Sequence, residues 1–434
     1  MLDNPYFIQE MKTLLSSSDY DMFVDCLDKP MYKALRINTL KSDHDFISEY
    51  ISLNEKSAFD ENTYLISSEE KLGKHPFHIA GLYYIQEPSA TMAVNALDVK
   101  DDDFVLDLCA APGGKSTQIL NRLSKEGFLV SNEYDKKRAN TLLSNLERWG
   151  YDNYLLTNND AKTICEQLEG VCDKVLVDAP CSGASMFKKY PETVKDYNLN
   201  SELACQKRQL EILSEAYKAL KQDGILVYST CTYNLYEDEQ VVEKFINEFG
   251  DMQLVDTGLS CGQKGYDPQG LTRRCFPFNG GEGHFVAKFI KKGEHAKRKL
   301  KTFSFSKDKL VDEFIEQNCY SKLAYTIINN KVYCSNKPLL KLNANCYRSG
   351  ILLGEIIKNR IEPDHHFFIT YTDLKNVCEL SDEQLDIYLS GRSLFVDNIS
   401  KGYVQLRYKN VPIGFGKSDG KQIKNHLPKG LRSL

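Results

Sequence analysis

The fold is decided by the stretch Phe104-Val-Leu-Asp-Leu-Cys-Ala-Ala-Pro-Gly-Gly-Lys-Ser116. An apolar run typical of a buried strand leads into a turn of small residues, and a helical pattern over 117–123 follows. Small residues let a ligand approach the backbone, and the start of a helix offers free N–H groups to an anionic group. The turn matches neither the Walker loop nor the dinucleotide pattern Gly-x-Gly-x-x-Gly. We therefore expect a nucleotide-type ligand of another class at the end of an α/β sheet.

The same alternation of strand-like and helical segments continues along the chain. Helical periodicity covers 136–149 and 201–220. This alternation predicts a doubly wound, Rossmann-like α/β core over residues 71–291. The further predicted strands are Phe128–Ser131, Tyr154–Thr157, Lys174–Asp178, Ile225–Thr230 and His284–Ile290.

The regions on either side of the core have a different character. Residues 1–70 are too few and too polar for a second catalytic unit, so we predict an accessory α/β module there. Residues 292–305 are predicted to form a basic linker. Residues 306–434 contain short strand-like runs separated by Asn-Asn and Gly turns, which predicts a small, mostly β region.

Charge and cysteine usage exclude several classes of protein. The chain has 55 Lys and Arg against 60 Asp and Glu, so any contact with nucleic acid depends on local basic stretches such as 291–301 and 401–434. Its thirteen cysteines form no Cys-x-x-Cys pair, which argues against a disulfide framework or a zinc site. It shows no signal peptide and no apolar run of roughly 20 residues. We expect a cytoplasmic monomer with reduced thiols, no metal and no membrane association.

Three carboxylates follow successive predicted strands, where the carboxyl ends of parallel strands gather ligands. Glu133 is placed to accept hydrogen bonds from the two ribose hydroxyls of an adenosine. Asp160 is placed to accept from the adenine amino group, and Asp178 lies where a methyl donor would point. Any one of these carboxylates alone is as well explained as a loop cap, but three together favour a cofactor site.

Two cysteines also follow neighbouring strands, in Asp178-Ala-Pro-Cys181-Ser-Gly183 and Ser229-Thr-Cys231-Thr232. A single cysteine at a strand end is usually a small buried hydrophobic residue. Two cysteines together suit methylation at carbon-5 of cytosine. One thiolate adds to carbon-6 and so activates the ring, and the other cysteine assists the elimination as a base. A protonated Asp178 would hydrogen-bond cytosine N3. Lys115 either orients the base or is a solvated surface lysine. Spacing alone leaves open which thiol attacks.

At these residues the sequence resembles the Nol/Nop/Sun family of RNA 5-methylcytosine methyltransferases. The resemblance implies a core that uses S-adenosyl-L-methionine, with Cys231 as the nucleophile and Cys181 assisting release. This is the reverse of the DNA cytosine enzymes, in which the Pro-Cys cysteine attacks. The resemblance implies cofactor contacts from Cys109, Ala110, Ala111, Pro112, Gly113, Gly114, Lys115, Glu133, Asp160 and Asp178.

Further matches extend the resemblance over nearly the whole chain and towards the RsmF (YebU)-like branch of the family. They imply an N-terminal RRM-like module, a C-terminal PUA-like module, and 16S rRNA near the decoding centre, or the 30S subunit, as substrate. The chain has Ala184-Ser185 where that branch usually has Glu-Gly, which leaves the modified cytidine open. The matching segments are Ala34–Leu40, Gly81–Ser89, Gly283–Phe285 and Lys424–Pro428.

A cytosine inside a helix hides its reactive carbons, so RNA binding must compensate for looping the base out. The basic run 291–301 is one candidate for phosphate contacts, and we expect an affinity that falls with salt. Three alternatives remain: a non-catalytic rRNA-binding or ribosome-assembly factor, a tRNA cytosine methyltransferase, and an amino-group methyltransferase. The last usually carries Asn/Asp-Pro-Pro-Tyr/Phe, which is not found after the fourth strand. The other candidate RNA contacts are Arg36, Asn38, Lys188, Lys189, Arg407, Lys409, Lys421, Lys424 and Lys429.

Overall fold

The structure is a computed structural model that describes residues 4–293 and 299–432. The N-terminal part combines four helices with a three-stranded antiparallel sheet of order β2-β1-β3. Because β3 pairs with β1, the predicted boundary at residue 70 is wrong: it cuts through this sheet, which continues to residue 86. The elements are α1 (Pro5–Leu14), α2 (Ser17–Leu27), β1 (Ala34–Ile37), α3 (His44–Tyr50), β2 (Thr63–Leu65), α4 (Pro76–Ile79) and β3 (Tyr83–Gln86).

The central part is the predicted doubly wound α/β domain, and that prediction is confirmed. Its two apolar clusters cover opposite faces of one sheet, as shown by the neighbours Val105 and Leu106, which belong to different clusters. The elements are α5 (Met92–Leu97), β4 (Phe104–Asp107), α6 (Gly114–Leu120), β5 (Phe128–Asn132), α7 (Lys136–Trp149), β6 (Tyr154–Thr157), α8 (Ala161–Gln167), β7 (Cys172–Asp178), α9 (Leu199–Ala219), β8 (Leu220–Thr230), α10 (Glu239–Glu248), β9 (Met252–Val255), β10 (Gln263–Lys264), β11 (Arg273–Cys275) and β12 (His284–Lys291).

The order of the strands in the central sheet determines where a ligand crevice lies. Five parallel strands lie in the order β8-β7-β4-β5-β6, and β12 pairs antiparallel with β8. The chain runs outward from β4 to one side through β5 and β6, and to the other side through β7 and β8. The order therefore reverses at β4, which opens a crevice at the carboxyl ends of β4 and β7.

The C-terminal region is mostly β, as predicted, and is joined to the core. Its strand β15 pairs antiparallel with β6 and so extends the central sheet. The remaining strands form a four-stranded sheet, β13-β14-β16-β17, and a five-stranded sheet, β18-β20-β21-β22-β19. The elements are α11 (Lys309–Asn318), β13 (Tyr325–Ile328), β14 (Lys331–Cys334), β15 (Cys346–Ser349), β16 (Ile351–Ile357), β17 (Arg360–Pro363), α12 (His365–Thr370), β18 (Val377–Glu379), α13 (Asp382–Leu389), β19 (Leu394–Phe395), β20 (Gly402–Tyr408), β21 (Val411–Ser418) and β22 (Gln422–Asn425).

One lysine connects the three parts of the chain. The ammonium of Lys41 donates to the carbonyl oxygens of Ala80 at 2.8 Å, Arg148 at 2.9 Å and Ile369 at 3.2 Å. These acceptors belong to the N-terminal part, the end of α7 and the end of α12. Lys41 therefore holds the two flanking parts against the core.

We expect Lys41→Met to destabilise the protein by about 2 to 4 kcal/mol, because three carbonyls lose their shared donor at once. The midpoint of thermal unfolding, followed by circular dichroism, measures the effect. Lys125→Met is the matched control, since Lys125 is exposed and lines the same cleft between the three parts. Equal unfolding midpoints for the two variants would contradict the connecting role.

Within residues 4–293 and 299–432, no helix combines the length and apolar character needed to cross a membrane. In the same part of the chain, no group of three His, Cys, Asp or Glu side chains is arranged to hold a metal ion. All thirteen cysteines are free thiols.

Candidate active site

The carboxyl ends of the parallel strands open into a cavity of about 900 Å³. Its walls come from the loops after β4, β5, β6, β7 and β8, so residues far apart in sequence meet in one place. Six of the predicted site residues line it: Cys109, Glu133, Asp160, Asp178, Cys181 and Cys231.

The turn between β4 and α6 has the backbone that its small residues predict. Gly113 has φ = 114°, a conformation that glycine adopts without strain, and a Cβ there would lie 3.0 Å from Leu142 Cδ1. The turn is fixed from the side, since the Ala111 N–H donates to Glu133 Oε2 at 3.3 Å and Arg138 donates to the Ala111 carbonyl at 2.7 Å. Of the turn 109–115, Cys109 lines the cavity, whereas the predicted cofactor residues 110–115 do not line it.

The two carboxylates after β5 and β6 line the cavity and differ in exposure. Glu133 is 4% exposed and also accepts from the Asp135 N–H at 2.9 Å. Asp160 is exposed and caps α8, and the hydrogen bond from the Thr163 N–H lowers the pKa of its carboxyl.

Sequence reasoning missed two residues at this end of the cavity, although both flank Glu133. Asn132 lines the cavity and donates from its side chain to the carbonyl of Asn159 at 3.0 Å. Tyr134 also lines the cavity, and 78% of its surface is exposed. Its ring offers a flat apolar surface beside the two carboxylates.

The two cysteines meet in the cavity, with their sulfurs 3.2 Å apart. The N–H of Cys231 also donates to Cys181 Sγ at 3.4 Å. Ser185 fixes the loop from the other side, because its hydroxyl donates to the Cys231 carbonyl at 2.8 Å. The hydrogen bond with Cys231, and then burial, raise the pKa of the Cys181 thiol well above its usual value. Cys181 therefore keeps its proton in this state of the site.

Asp178 and Lys115 form an ion pair of 2.9 Å beside the thiols. Burial alone would raise the pKa of Asp178, but Lys115 and the hydrogen bond from the Ser229 hydroxyl at 2.8 Å help to lower it below its usual value. Burial likewise opposes the charge on Lys115, and Asp178 outweighs it and raises the pKa of the lysine. The pair therefore favours the ionised form of Asp178 in this state of the site, and the protonated form stays a prediction. The alternative of a solvated lysine is wrong, since the Lys115 side chain is only 12% exposed.

His284 is a further neighbour that the sequence did not assign. Its Nε2 lies 3.7 Å from Asp178 Oδ1, and the ring is buried. Burial and the nearby Lys115 lower the pKa of His284 to about 3, so the imidazole is neutral at physiological pH. The only signal in the sequence was its place in the matching segment Gly283–Phe285.

The loop that carries Cys181 is held by a buried carboxylate. Glu237 Oε2 accepts from the Ser182 N–H at 2.9 Å and from the Gln209 side-chain amide at 2.8 Å. The same amide donates to the Pro180 carbonyl at 3.1 Å. Helix α9, which carries Gln209, is thereby fixed relative to Cys181.

Four predicted RNA contacts are wrong because their side chains are used inside the protein. Arg36 is 1% exposed and donates to Gln86 and Thr117, while Asn38 is fully buried. The Lys188 side chain is 9% exposed and forms an ion pair of 3.0 Å with Glu282. Lys291 ends β12 and donates to the carbonyls of Tyr217 and Leu220.

The other predicted RNA contacts stay predictions. Arg407 is half-buried and donates to the Thr372 carbonyl at 2.6 Å. Residues 294–298 of the basic run lie outside the described residues. The remaining candidates are exposed lysines: Lys189, Lys409, Lys421, Lys424 and Lys429.

A doubly wound sheet with a small-residue turn after its first parallel strand, and an acidic residue after the next, defines an S-adenosyl-L-methionine-dependent methyltransferase. Three family models match the chain. They are the 16S rRNA methyltransferase RsmB/F over residues 94–290, the N-terminal domain of 16S rRNA methyltransferase RsmF over 4–88, and the methyltransferase RsmF PUA domain over 375–433. The chain belongs to the ribosomal RNA small subunit methyltransferase F family.

Relatives of this family match over almost their entire length. The ribosomal RNA small subunit methyltransferase F of Vibrio vulnificus strain YJ016 is 31% identical, and the match covers 98% of this chain and 96% of the relative. The ribosomal RNA small subunit methyltransferase F of Shewanella oneidensis is 30% identical, and the match covers 99% of this chain and 97% of the relative. The family model of the PUA domain covers β18 to β22, so the predicted PUA-like ending is confirmed.

Solved structures show the same fold over about two thirds of the chain. A methyltransferase homolog protein from Pyrococcus horikoshii has a TM-score of 0.55 at 27% identity, covering 66% of this chain and 99% of that one. NSun6 from Pyrococcus horikoshii has a TM-score of 0.60 at 20% identity, covering 68% and 100%. The latter likeness concerns the fold alone.

Proposed function

We propose that this methyltransferase modifies carbon-5 of cytosine in 16S rRNA near the decoding centre, through a covalent bond between Cys231 and carbon-6. The observation that carries the proposal is the pair of thiols, whose sulfurs lie 3.2 Å apart in the cofactor cavity. Methyltransferases that act on amino groups have no use for a thiol nucleophile. We assign the methylation reaction to the cytoplasm, where ribosomal RNA is available.

The reaction needs a nucleophile because carbon-5 of cytosine does not take a methyl group unaided. The Cys231 thiolate adds to carbon-6, and the electron pair of the carbon-5 to carbon-6 double bond becomes available at carbon-5. S-adenosyl-L-methionine supplies the methyl group on a sulfonium centre. A base then removes the proton from carbon-5, the double bond reforms, and Cys231 leaves as a thiolate.

Cys181 suits the role of that base because its acidity depends on Cys231. In the free site the hydrogen bond with Cys231 is the largest cause of its raised pKa. Once the Cys231 sulfur is bonded to carbon-6, this contact between the two thiols is lost. The pKa of Cys181 then falls, so that the thiol releases its proton to water and the resulting thiolate accepts the proton from carbon-5.

Lys115 and Asp178 suit the two polar edges of a cytosine. An ionised Asp178 accepts hydrogen bonds, so it pairs with the exocyclic amino group that distinguishes cytosine from uracil. The Lys115 ammonium beside it stabilises the negative charge that the ring acquires when the thiolate adds. The ion pair of 2.9 Å beside the thiols supports both roles.

The contacts with the cofactor are assigned to residues on the loops after β4, β5 and β6. Glu133 accepts from the ribose hydroxyls, Asp160 accepts from the adenine amino group, and the exposed ring of Tyr134 packs against the base. The turn 109–115 receives the methionine part. The assignment is supported by the cavity that Cys109, Glu133, Tyr134 and Asp160 share with the two thiols.

The proposal is tested by incubating the protein with S-adenosyl-L-methionine and unmodified 16S rRNA or 30S subunits. Hydrolysis of the RNA and mass spectrometry of the nucleosides are expected to show 5-methylcytidine. Unmodified tRNA serves as the comparison substrate. Methylation of tRNA alone would favour a tRNA enzyme, an N4-methylated product would exclude the carbon-5 mechanism, and tight binding without any product would favour a non-catalytic factor.

A further inference from the structure

Arg208 lies on α9 and lines the same cavity as Cys181 and Cys231. It is exposed, and its guanidinium has no hydrogen bond or ion pair within the described residues. Glu211 lies one turn further along the helix and forms no ion pair with it. Neither the family resemblance nor the motifs of the sequence had assigned this arginine a role.

The other basic side chains of the cavity are already paired. Arg138 approaches Glu133 at 3.8 Å and donates to the Ala111 carbonyl at 2.7 Å. Lys162 pairs with Glu166 on its own helix at 4.0 Å. Among the described residues that line the cavity, Arg208 is therefore the cation that is available to an incoming anion.

The place of Arg208 along the cavity wall follows from the contacts of its neighbour Gln209. Gln209 is fully buried and donates to the Pro180 carbonyl at 3.1 Å, directly before Cys181. It also donates to Glu237, which holds the Ser182 N–H. These contacts hold α9 against the Cys181 loop, so the helix backbone that carries Arg208 has a set position in the wall of the cavity that also contains the two thiols.

We propose that Arg208 binds a backbone phosphate of the RNA next to the target cytidine and thereby positions the strand so that the base enters beside Cys231. The proposal depends on the proposed function, because it takes RNA as the substrate. A planar guanidinium donates two parallel hydrogen bonds to a phosphate, which fixes the direction of the strand as well as its distance. This contact offsets part of the cost of looping out the base. Arg208 is a positioning residue, since the reacting atoms are contacted by the thiols.

The test compares Arg208→Ala with Lys207→Ala, since Lys207 is the adjacent exposed cation and does not line the cavity. For Arg208→Ala we expect RNA affinity to fall about tenfold and the slope of log affinity against log salt to become shallower by about 0.7. The KM for RNA rises while kcat changes little, and binding of S-adenosyl-L-methionine, measured by calorimetry, stays at the wild-type value. Arg208→Lys keeps the charge and recovers part of the affinity.

Three results would overturn this inference. A loss of cofactor affinity in Arg208→Ala would assign the arginine to the carboxylate of S-adenosyl-L-methionine instead of a phosphate. Equal losses of RNA affinity in Lys207→Ala would show a diffuse surface charge, and an unchanged salt slope would exclude a phosphate contact. Formation of 5-methylcytidine by the wild-type protein is measured in parallel. If the wild type forms no product, the proposed function is rejected. If it forms product, any of the three results above rejects only the inference about Arg208.

Discussion

Replacement of Cys231 by alanine is expected to lower methyl transfer to RNA by about 10⁴-fold or more, since the covalent route is lost together with its nucleophile. The remaining residues hold the cofactor and the RNA, but they do not activate carbon-5. The rate of tritiated methyl transfer from S-adenosyl-L-methionine to RNA measures the loss.

Two controls separate chemistry from folding. Binding of S-adenosyl-L-methionine to the Cys231→Ala protein is expected to equal that of the wild type, because the cofactor contacts come from other loops. Cys346→Ala serves as the matched control, as Cys346 is an exposed thiol on β15 that does not line the cavity. A Cys231→Ala enzyme that keeps more than a tenth of the wild-type rate would contradict the assignment.

Replacement of Cys181 by alanine is expected to trap the enzyme on its product. Cys231 still attacks and the methyl group is still transferred, but the carbon-5 proton is removed slowly without the neighbouring thiol. The protein therefore accumulates as an adduct with RNA that survives denaturant. Electrophoresis under denaturing conditions should show this adduct as a band of reduced mobility that disappears after ribonuclease treatment.

The double variant Cys181→Ala/Cys231→Ala is the control for this adduct. It is expected to form none, because the sulfur that bonds to carbon-6 is gone. If the adduct persisted in Cys231→Ala and required Cys181, the two roles would be reversed.

The core of the fold was predictable because buried parallel strands are short, continuous apolar runs. The predicted strand Tyr154–Thr157 and the predicted helix 136–149 coincide with the observed elements. The gathering of the cofactor carboxylates followed from the rule that strands of one direction end at one edge of the sheet. The pairing of β15 with β6 was not predictable, since a four-residue polar strand carries no signal of its distant partner.

The predicted RNA contacts failed where a charged side chain is buried and paired. Arg36 lies on β1, whose four residues are all buried, and its guanidinium is held by Gln86 and Thr117. Sequence shows the charge of a residue but not which side of a small sheet is covered by another part of the chain. The predicted RNA contact of Lys188 failed for the same reason, because its partner Glu282 is far away in sequence.

Prediction of the site from the sequence was limited in a similar way. The sequence placed both thiols at neighbouring strand ends, but the state of Asp178 depends on its contact with Lys115, which only the folded chain reveals. The dependence of Cys181 on Cys231 likewise rests on the distance between their sulfurs. Which thiol attacks still comes from the family resemblance.

The attacking thiol is tested most directly with RNA in which the target cytidine carries fluorine at carbon-5. The fluorine cannot be removed as the proton is, so elimination is blocked and the covalent bond persists. Trypsin then releases residues 222–244 with Cys231 and residues 175–188 with Cys181 as separate peptides. We predict that mass spectrometry finds the nucleotide on the peptide 222–244. A nucleotide on the peptide 175–188, or on neither peptide, would contradict the assignment of Cys231 as the nucleophile.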